Sequence, residues 1–372
     1  MNFSKGTEQI SPGPIFLLGS GETSPSGRKA FEVAMQRISQ ANPQKNSPRI
    51  VLLETPAGFE LNSAQVARRI GDFLSQHLQN YHPEIQVIPA RKRGTVTSPD
   101  NPDVVKPILE ADLIFMGPGS PSYAVRQLRN SLAWNYLVAA HRKGASLALA
   151  SAATVAISKW SLPVYEIYKT GEDIHWKPGL DFFRPFGLSL VFIPHWNNND
   201  GGQELDTRRC YMGLPRFELL LNLLPAGNTV VGLDENTTLM MDLSTGGCQV
   251  IGQGSITIQK DGTERQYSSG LNFSLDELGP FQFPDLNEGV PEDVWQQAAE
   301  ARNSFFNPSK SDELEKPSQE VVQLLELRQA ARDHHDWNES DSMRRRIADM
   351  GWQVIDTPEG QKLVKINQED LC

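Results

Sequence analysis

Five short apolar runs, each leading into a stretch of helical periodicity, constrain this chain more than any other feature. They are Pro14-Ile-Phe-Leu-Leu18, Arg49-Ile-Val-Leu-Leu53, Ile85-Gln-Val-Ile88, Leu113-Ile-Phe-Met116 and Ser146-Leu-Ala-Leu149. Helical patterns follow, at residues 27 to 40 and 62 to 78 among others. Strands alternating with helices give a mostly parallel sheet covered by helices on both faces, so the expected fold class is α/β. In such sheets function gathers beyond the carboxyl ends of the strands. The residues just after each run are therefore where chemistry is sought.

The fifth run has the least connecting chain after it. Gly144 ends a helical pattern, residues 145 to 150 are small and apolar, and a new helical pattern opens at Ala152 with Ser151 alone between them. A strand that meets a helix with no loop forces the joining residue into a sharp turn and lifts its side chain clear of the sheet edge. Ser151 is a candidate nucleophile on that ground. A serine so placed also serves as an ordinary helix N-cap. The spacing differs from G-x-S-x-G by carrying Leu149 and Ala153 where close approach favours glycine.

Two further strand ends carry usable groups. After Met116 comes Gly117-Pro-Gly-Ser-Pro-Ser-Tyr123 at a helix start. The N–H groups of Gly119 and Ser120 and that of Ala152 are candidate oxyanion donors, whereas Pro118 has none to give. A plain turn into a helix is the commoner use of such a loop. The run Leu188-Ser-Leu-Val-Phe-Ile193 ends at Pro194-His195-Trp196 and the polar Asn197-Asn-Asn-Asp-Gly-Gly202, which puts a histidine where a general base is needed. Thr229-Val-Val-Gly-Leu-Asp-Glu-Asn-Thr-Thr-Leu-Met-Met241 then reads as strand, acidic turn and strand.

The acidic turn Gly232-Leu-Asp-Glu-Asn-Thr237 is similar to that of the serine peptidase family containing cyanophycinase and aspartyl dipeptidase (peptidase E). The loop Gly19-Ser-Gly-Glu22, the loop Gly117-Pro-Gly-Ser120, the Ser151 elbow and His195 fall in that family's order, over roughly residues 13 to 280. The resemblance implies a class I glutamine amidotransferase-like fold. It further implies Ser151 as nucleophile, His195 as base and Glu235 as the acid orienting the imidazole, with Asp234 the competitor for that last role. The activity implied is hydrolysis of a peptide or related amide through an acyl-enzyme, with no cofactor and no metal. A non-catalytic binding or adaptor protein on the same fold is the alternative.

A helical pattern from Asp206 to Leu224 carries Arg208, Arg209 and Arg216, which would bind an acidic substrate group or else pair with neighbouring carboxylates. His175 has no second histidine at ligand spacing, so no metal site is expected there. The three cysteines lie far apart and suggest neither a disulfide framework nor a zinc site. A formal net charge of -10 argues against general nucleic-acid binding. No apolar stretch has the character of a signal peptide or the length of a membrane span, so a cytoplasmic protein is expected. Self-association into a homodimer is compatible with the sequence.

The texture changes near Pro284. Four segments are expected: an N-terminal tail (1–12), the α/β hydrolytic domain (13–283), a linker with a short helix (284–317) and a small helical C-terminal module (318–372). Arg328-Gln-Ala-Ala-Arg-Asp-His-His-Asp-Trp337, the helix after it and the Asp-Thr-Pro-Glu-Gly360 turn resemble the small C-terminal domain of cysteinyl-tRNA synthetases over residues 319 to 366. The catalytic signatures of those enzymes are absent from the sequence. From Pro317 onward there are seven Lys and Arg against eleven Asp and Glu. That negative balance disfavours tRNA binding, and leaves association as the expected use.

Overall fold

The computed structural model describes residues 11–306, 318–334, 336–357 and 360–365. The chain divides into two units, Met1–Arg302 and Asn303–Cys372.

The first unit is built on strands β1 (Ile15–Leu18), β2 (Arg49–Leu53), β3 (Glu84–Ile88), β4 (Leu113–Met116) and β5 (Ser146–Ala150). The helices between them include α1 (Pro25–Ala41), α2 (Ser63–His77), α3 (Pro102–Val105), α4 (Pro121–Leu128) and α5 (Leu132–Arg142), and α6 (Ala152–Ala156) follows β5. Further on come β6 (Trp160–Ser161), α7 (Val164–Tyr168), β7 (Lys177–Pro178), β8 (Leu190–Ile193), α8 (Leu214–Leu223), β9 (Thr229–Leu233), β10 (Thr237–Asp242), β11 (Gly247–Gly252), β12 (Ser255–Lys260), β13 (Thr263–Ser268), β14 (Asn272–Ser274) and α9 (Glu292–Phe306).

The main sheet runs β14-β11-β10-β1-β5-β4-β2-β3. Its five early strands are parallel, and β10, β11 and β14 extend it antiparallel. Alternation along each strand sends side chains to two separate cores. Phe16, Leu18, Ile50, Leu52, Leu113 and Phe115 meet Phe31, Met35 and Ile38 of α1 and Ile70 and Leu74 of α2. Ile15, Leu17, Val51, Leu53, Ile114, Met116, Leu147 and Leu149 face the other way, against Tyr136 and Leu137 of α5. Each such side chain, fully buried, contributes about 1.5–3 kcal/mol.

The second core also takes in Leu190, Phe192, Val231, Leu233, Ile256 and Ile258. These belong to a smaller sheet, β13-β12-β9-β8, in which β8 and β9 are parallel. The histidine-bearing strand is thus outside the main sheet. Between Leu233 and Thr237 the chain crosses from the small sheet to the large one.

The stretch read as a linker behaves differently in its first part. Val290, Val294, Trp295 and Ala298 join the same core, and Arg302 Nη1 lies 3.3 Å from the buried carboxylate of Asp112. Pro284, where the texture changes, is itself buried, so the α/β body continues past it. Residues 307 to 317 lie outside the described residues.

The second unit pairs helices Gln319–Asp333 and Trp337–Asp349 with a β-hairpin, Trp352–Thr357 and Gly360–Lys365. Val321, Leu324, Ile347 and Val354 form its small core. The hairpin is an addition to the helical module expected, because its alternating residues were read only as a turn region. Pro358 and Glu359 of the quoted turn lie outside the described residues. Among the described residues no helix is long and apolar enough to cross a membrane.

One core residue sets a pH dependence. His141 on α5 is fully buried; its Nε2–H donates to the Gly13 carbonyl at 2.9 Å, its Nδ1 has no partner, and Phe182 meets it edge-on. Burial drives its pKa down from 6.5 to about 3. The imidazole therefore stays neutral in the fold over a range where the unfolded chain takes up a proton. Its contribution is complete above pH 6.5 and is lost as the pH falls toward 3, by up to about 1.4 kcal/mol per pH unit. Denaturant titrations at pH 7, 5.5 and 4.5 should show this slope shallower in His141→Gln than in the parent.

Candidate active site

The junction after β5 has the geometry its sequence demands. Ser151 has φ 50° and ψ -109°, a conformation disfavoured for any residue with a Cβ. Its amide donates to the Leu18 carbonyl at 3.3 Å, and its hydroxyl makes no capping bond to α6. Leu149 and Ala153 fit by joining the core beneath. Thr154 staples the junction, its hydroxyl donating to Leu149 O at 2.7 Å and lying 3.3 Å from Leu18 O. The sharp turn is thus held by a hydroxyl and by buried apolar contact in place of flanking glycines.

Ser151 Oγ lies 2.9 Å from His195 Nε2, and His195 Nδ1 lies 2.9 Å from Glu235 Oε1. An ionised Glu235 accepts only, so Nδ1 carries the proton and Nε2 is free to accept from the serine hydroxyl. His195 also has positive φ, 51°, with its amide on the Gly19 carbonyl at 3.2 Å. Gly19 in turn allows close approach of the acidic turn, because a Cβ there would fall 2.1 Å from Asp234 O. The loop after β1 therefore supports both the base and the acid. The hydrogen bond from His195 holds the Glu235 pKa below its usual value against partial burial. Asp234 is turned away: its carboxylate accepts from the Ser255 amide at 2.9 Å, and burial raises its pKa.

A pocket of about 240 Å³ opens onto Ser151 and His195. Gly119 and Ala152 border it, and no hydrogen bond engages either amide among the described residues. Gly119 has φ 143°, and a Cβ there would meet Pro56 O at 2.1 Å. Ser120 does not serve as the third donor. Its amide is committed to Pro56 O at 2.9 Å, and its Oγ caps α4 at the Tyr123 amide. The helix start claims the serine, which leaves Gly119 and Ala152 as the pair able to meet an oxyanion.

The three arginines fold the chain near the site and do not border the pocket. Residues 206 to 213 are not helical: Arg209, Cys210 and Tyr211 have φ of 59°, 57° and 67°, and α8 starts only at Leu214. Arg208 forks onto Asp206 at 2.9 and 3.1 Å. Arg209 lies 3.7 Å over the Trp196 ring and donates to Trp196 O. Arg216 donates to the carbonyls of Met212 and Tyr211. Their apolar neighbours imitate helical spacing, but the guanidinium groups bond Asp206, Trp196 O and the carbonyls of Tyr211 and Met212, and none lines the pocket.

That turn and α7 supply pocket walls that sequence reasoning missed: Tyr165, Tyr168, Lys169, Cys210 and Tyr211. The aromatic spacing Tyr165–Tyr168 was the available signal. Burial pushes the Cys210 thiol up to about 12, which leaves it inert beside the serine. Asn197 and Asn198 were also missed. Asn197 Oδ1 accepts from the Glu235 amide at 2.8 Å, and Asn198 Nδ2 donates to Glu235 Oε1 at 2.9 Å. His175 bonds locally to Asp173 O, and among the described residues no group of His, Cys, Asp and Glu could hold a metal ion.

The fold and the site geometry together define an α/β protein with a serine, histidine and carboxylate in line at a strand-to-helix elbow. Its structure is similar to the crystal structure of a peptidase from an acI-B1 Actinobacterium, with a TM-score of 0.57 and 24% identity over 72% of this chain and 98% of that one. A structure described as a "Putative Peptidase E Protein" from Listeria monocytogenes EGD-e aligns at 9% identity and a TM-score of 0.37, over 69% of this chain and 99% of that one. The likeness to the first is one of fold. No protein-family model and no curated protein matches the sequence.

Proposed function

We propose that this chain is a serine hydrolase that cleaves a peptide or related amide through an acyl-enzyme on Ser151. The observation that carries the reading is the continuous relay from Ser151 through His195 to Glu235, opening into a pocket bordered by two unengaged amides. His195 takes the Ser151 proton as Oγ attacks the carbonyl carbon. The oxyanion of the tetrahedral intermediate is met by the N–H groups of Gly119 and Ala152. Collapse breaks the C–N bond, and the amine leaves with the proton returned by His195. Water, deprotonated by the same imidazole, then releases the acid and restores Ser151. The pocket sets an aromatic wall of Tyr165, Tyr168 and Tyr211 beside Ser151, with Lys169 as its exposed cation.

The test is a fluorophosphonate probe, which reacts with an activated serine. Labelling should map to Ser151 and vanish in Ser151→Ala. A wild-type protein that stays unlabelled, with a control hydrolase labelled alongside, would favour the adaptor reading.

For the C-terminal unit we infer association and not RNA binding. Its negative balance supports this, as does the loss of basic groups to internal pairing: Arg328 is buried and bonds Asp356 at 2.9 and 3.0 Å, and Arg332 lies 3.4 Å from the same carboxylate.

A further inference from the structure

The polar run Asn197-Asn-Asn-Asp200 lies behind the relay without taking part in its proton transfers, and one member of it is fully buried. Asn198 has no exposed surface, and each polar end of its side chain is engaged. Its Nδ2 donates to Glu235 Oε1 at 2.9 Å and to Asp200 Oδ2 at 3.0 Å, while its Oδ1 accepts from the Asp200 amide at 3.2 Å. Asp200 Oδ2 also accepts from the Tyr211 hydroxyl at 2.8 Å. Tyr211 lines the pocket, and its ring centre lies 5.9 Å from that of His195.

We infer that Asn198 is a positioning residue for the relay: it holds Glu235 against His195 and, through Asp200, ties that carboxylate to the Tyr211 wall of the pocket. Two donors on one oxygen leave Glu235 Oε1 little freedom to swing away from the imidazole. An amide is the group that can do this, since one nitrogen must donate to two carboxylates at once while its oxygen accepts. A carboxylate at 198 would face two others with no proton to offer. A small apolar residue would leave Glu235 restrained by His195 and by its backbone bond to Asn197. The Tyr211 hydroxyl is turned to Asp200, so that wall is held by the same chain of bonds that orients the acid.

The ionisable groups around Glu235 are His195, Asp200, Tyr211, Cys210 and Asp234, the last beside Arg209. Removing the Asn198 donor makes Glu235 a stronger base toward the imidazole without altering any of those charges. The acid limb of the activity profile should then move to higher pH, because the imidazolium is better stabilised.

This inference rests on the hydrolase reading for its activity arm, so the test has a second arm that needs no turnover. In Asn198→Ala, kcat on an amide substrate should fall about 10–100-fold, by analogy with the hydrogen-bond partners that orient metal-ligating side chains, with KM little changed and the acid limb shifted upward. The isosteric Asn198→Asp should be worse than Asn198→Ala despite its better fit. Tyr211→Phe should act chiefly on KM. In parallel, the His195 imidazole is titrated by nitrogen NMR in the resting protein, assigned with His195→Gln. Its titration should move upward in Asn198→Ala and further in Asn198→Asp. An unmoved titration in both folded variants would overturn the inference, as would an Asn198→Asp that matches wild type. Where the wild type neither turns over amide nor takes the probe, the hydrolase reading falls, and the NMR arm alone decides for or against the role of Asn198.

Discussion

Replacing Ser151 by glycine should remove hydrolysis altogether while giving a more stable protein than replacing it by alanine. Both variants lose the nucleophile, and both should drop by about 10⁶-fold in kcat, the size seen when the serine of such a relay is deleted. They differ in backbone. At φ 50° and ψ -109° a Cβ is strained, at a cost of about 1–3 kcal/mol, and glycine releases that strain where alanine retains it. Glycine's larger entropy loss on folding takes back roughly 0.5–1 kcal/mol. The Gly variant should therefore exceed the Ala variant by about 1 kcal/mol in denaturant titration. Equal turnover by wild type and either variant would refute the nucleophile. An Ala variant as stable as the Gly variant would show that the turn is relaxed.

The second large effect is expected at Glu235. Glutamine is isosteric but presents an amide, which can donate to Nδ1 and so favour the imidazole tautomer with its proton on Nε2. Ser151 then has no acceptor. The loss in kcat should approach about 10⁴-fold with KM little altered. Asp234→Asn serves as the comparison. Its carboxylate is occupied by the Ser255 amide, so the change should alter stability more than turnover. Steady-state kinetics on both variants decides the assignment, and an Asp234→Asn protein as impaired as Glu235→Gln would reverse it.

Much of this arrangement was legible in the residues because it is local. A buried parallel strand announces itself as an unbroken apolar run, and a serine with no loop on either side can hardly avoid an elbow. His195 and Glu235 were readable from strand ends and from the order of landmarks. What escaped notice depends on partners distant in sequence. Nothing near Ser120 reveals that Pro56 will take its amide. Nothing in Arg208, Arg209 and Arg216 tells a substrate clamp from a set of ties within a left-handed turn, since leucine, methionine and tyrosine spacing there matches a helix. The short helix of the 284–317 segment is legible in the sequence, but its attachment to the α/β body is not, because its anchor, Asp112, sits 190 residues earlier. The pairing of β8 with β9, and not with the main sheet, is likewise a property of tertiary packing.

The crossing of the chain from the small sheet to the large one bears on the order of assembly. Ser151 can reach its strained turn once β5 lies between β1 and β4, all within the first 150 residues. Glu235 has no place until β10 has paired back onto β1, where Met241 sits opposite Ile15. That contact joins strands at opposite ends of a long stretch of the first unit, Ile15 to Met241, and so carries a large loop-closure cost. In the proposed hydrolase, synthesis thus delivers the Ser151 turn well before Glu235 can take its place beside His195. On that reading a chain in which β10 has not yet paired with β1 has the Ser151 turn but no completed relay, so turnover is expected only after the sheet closes.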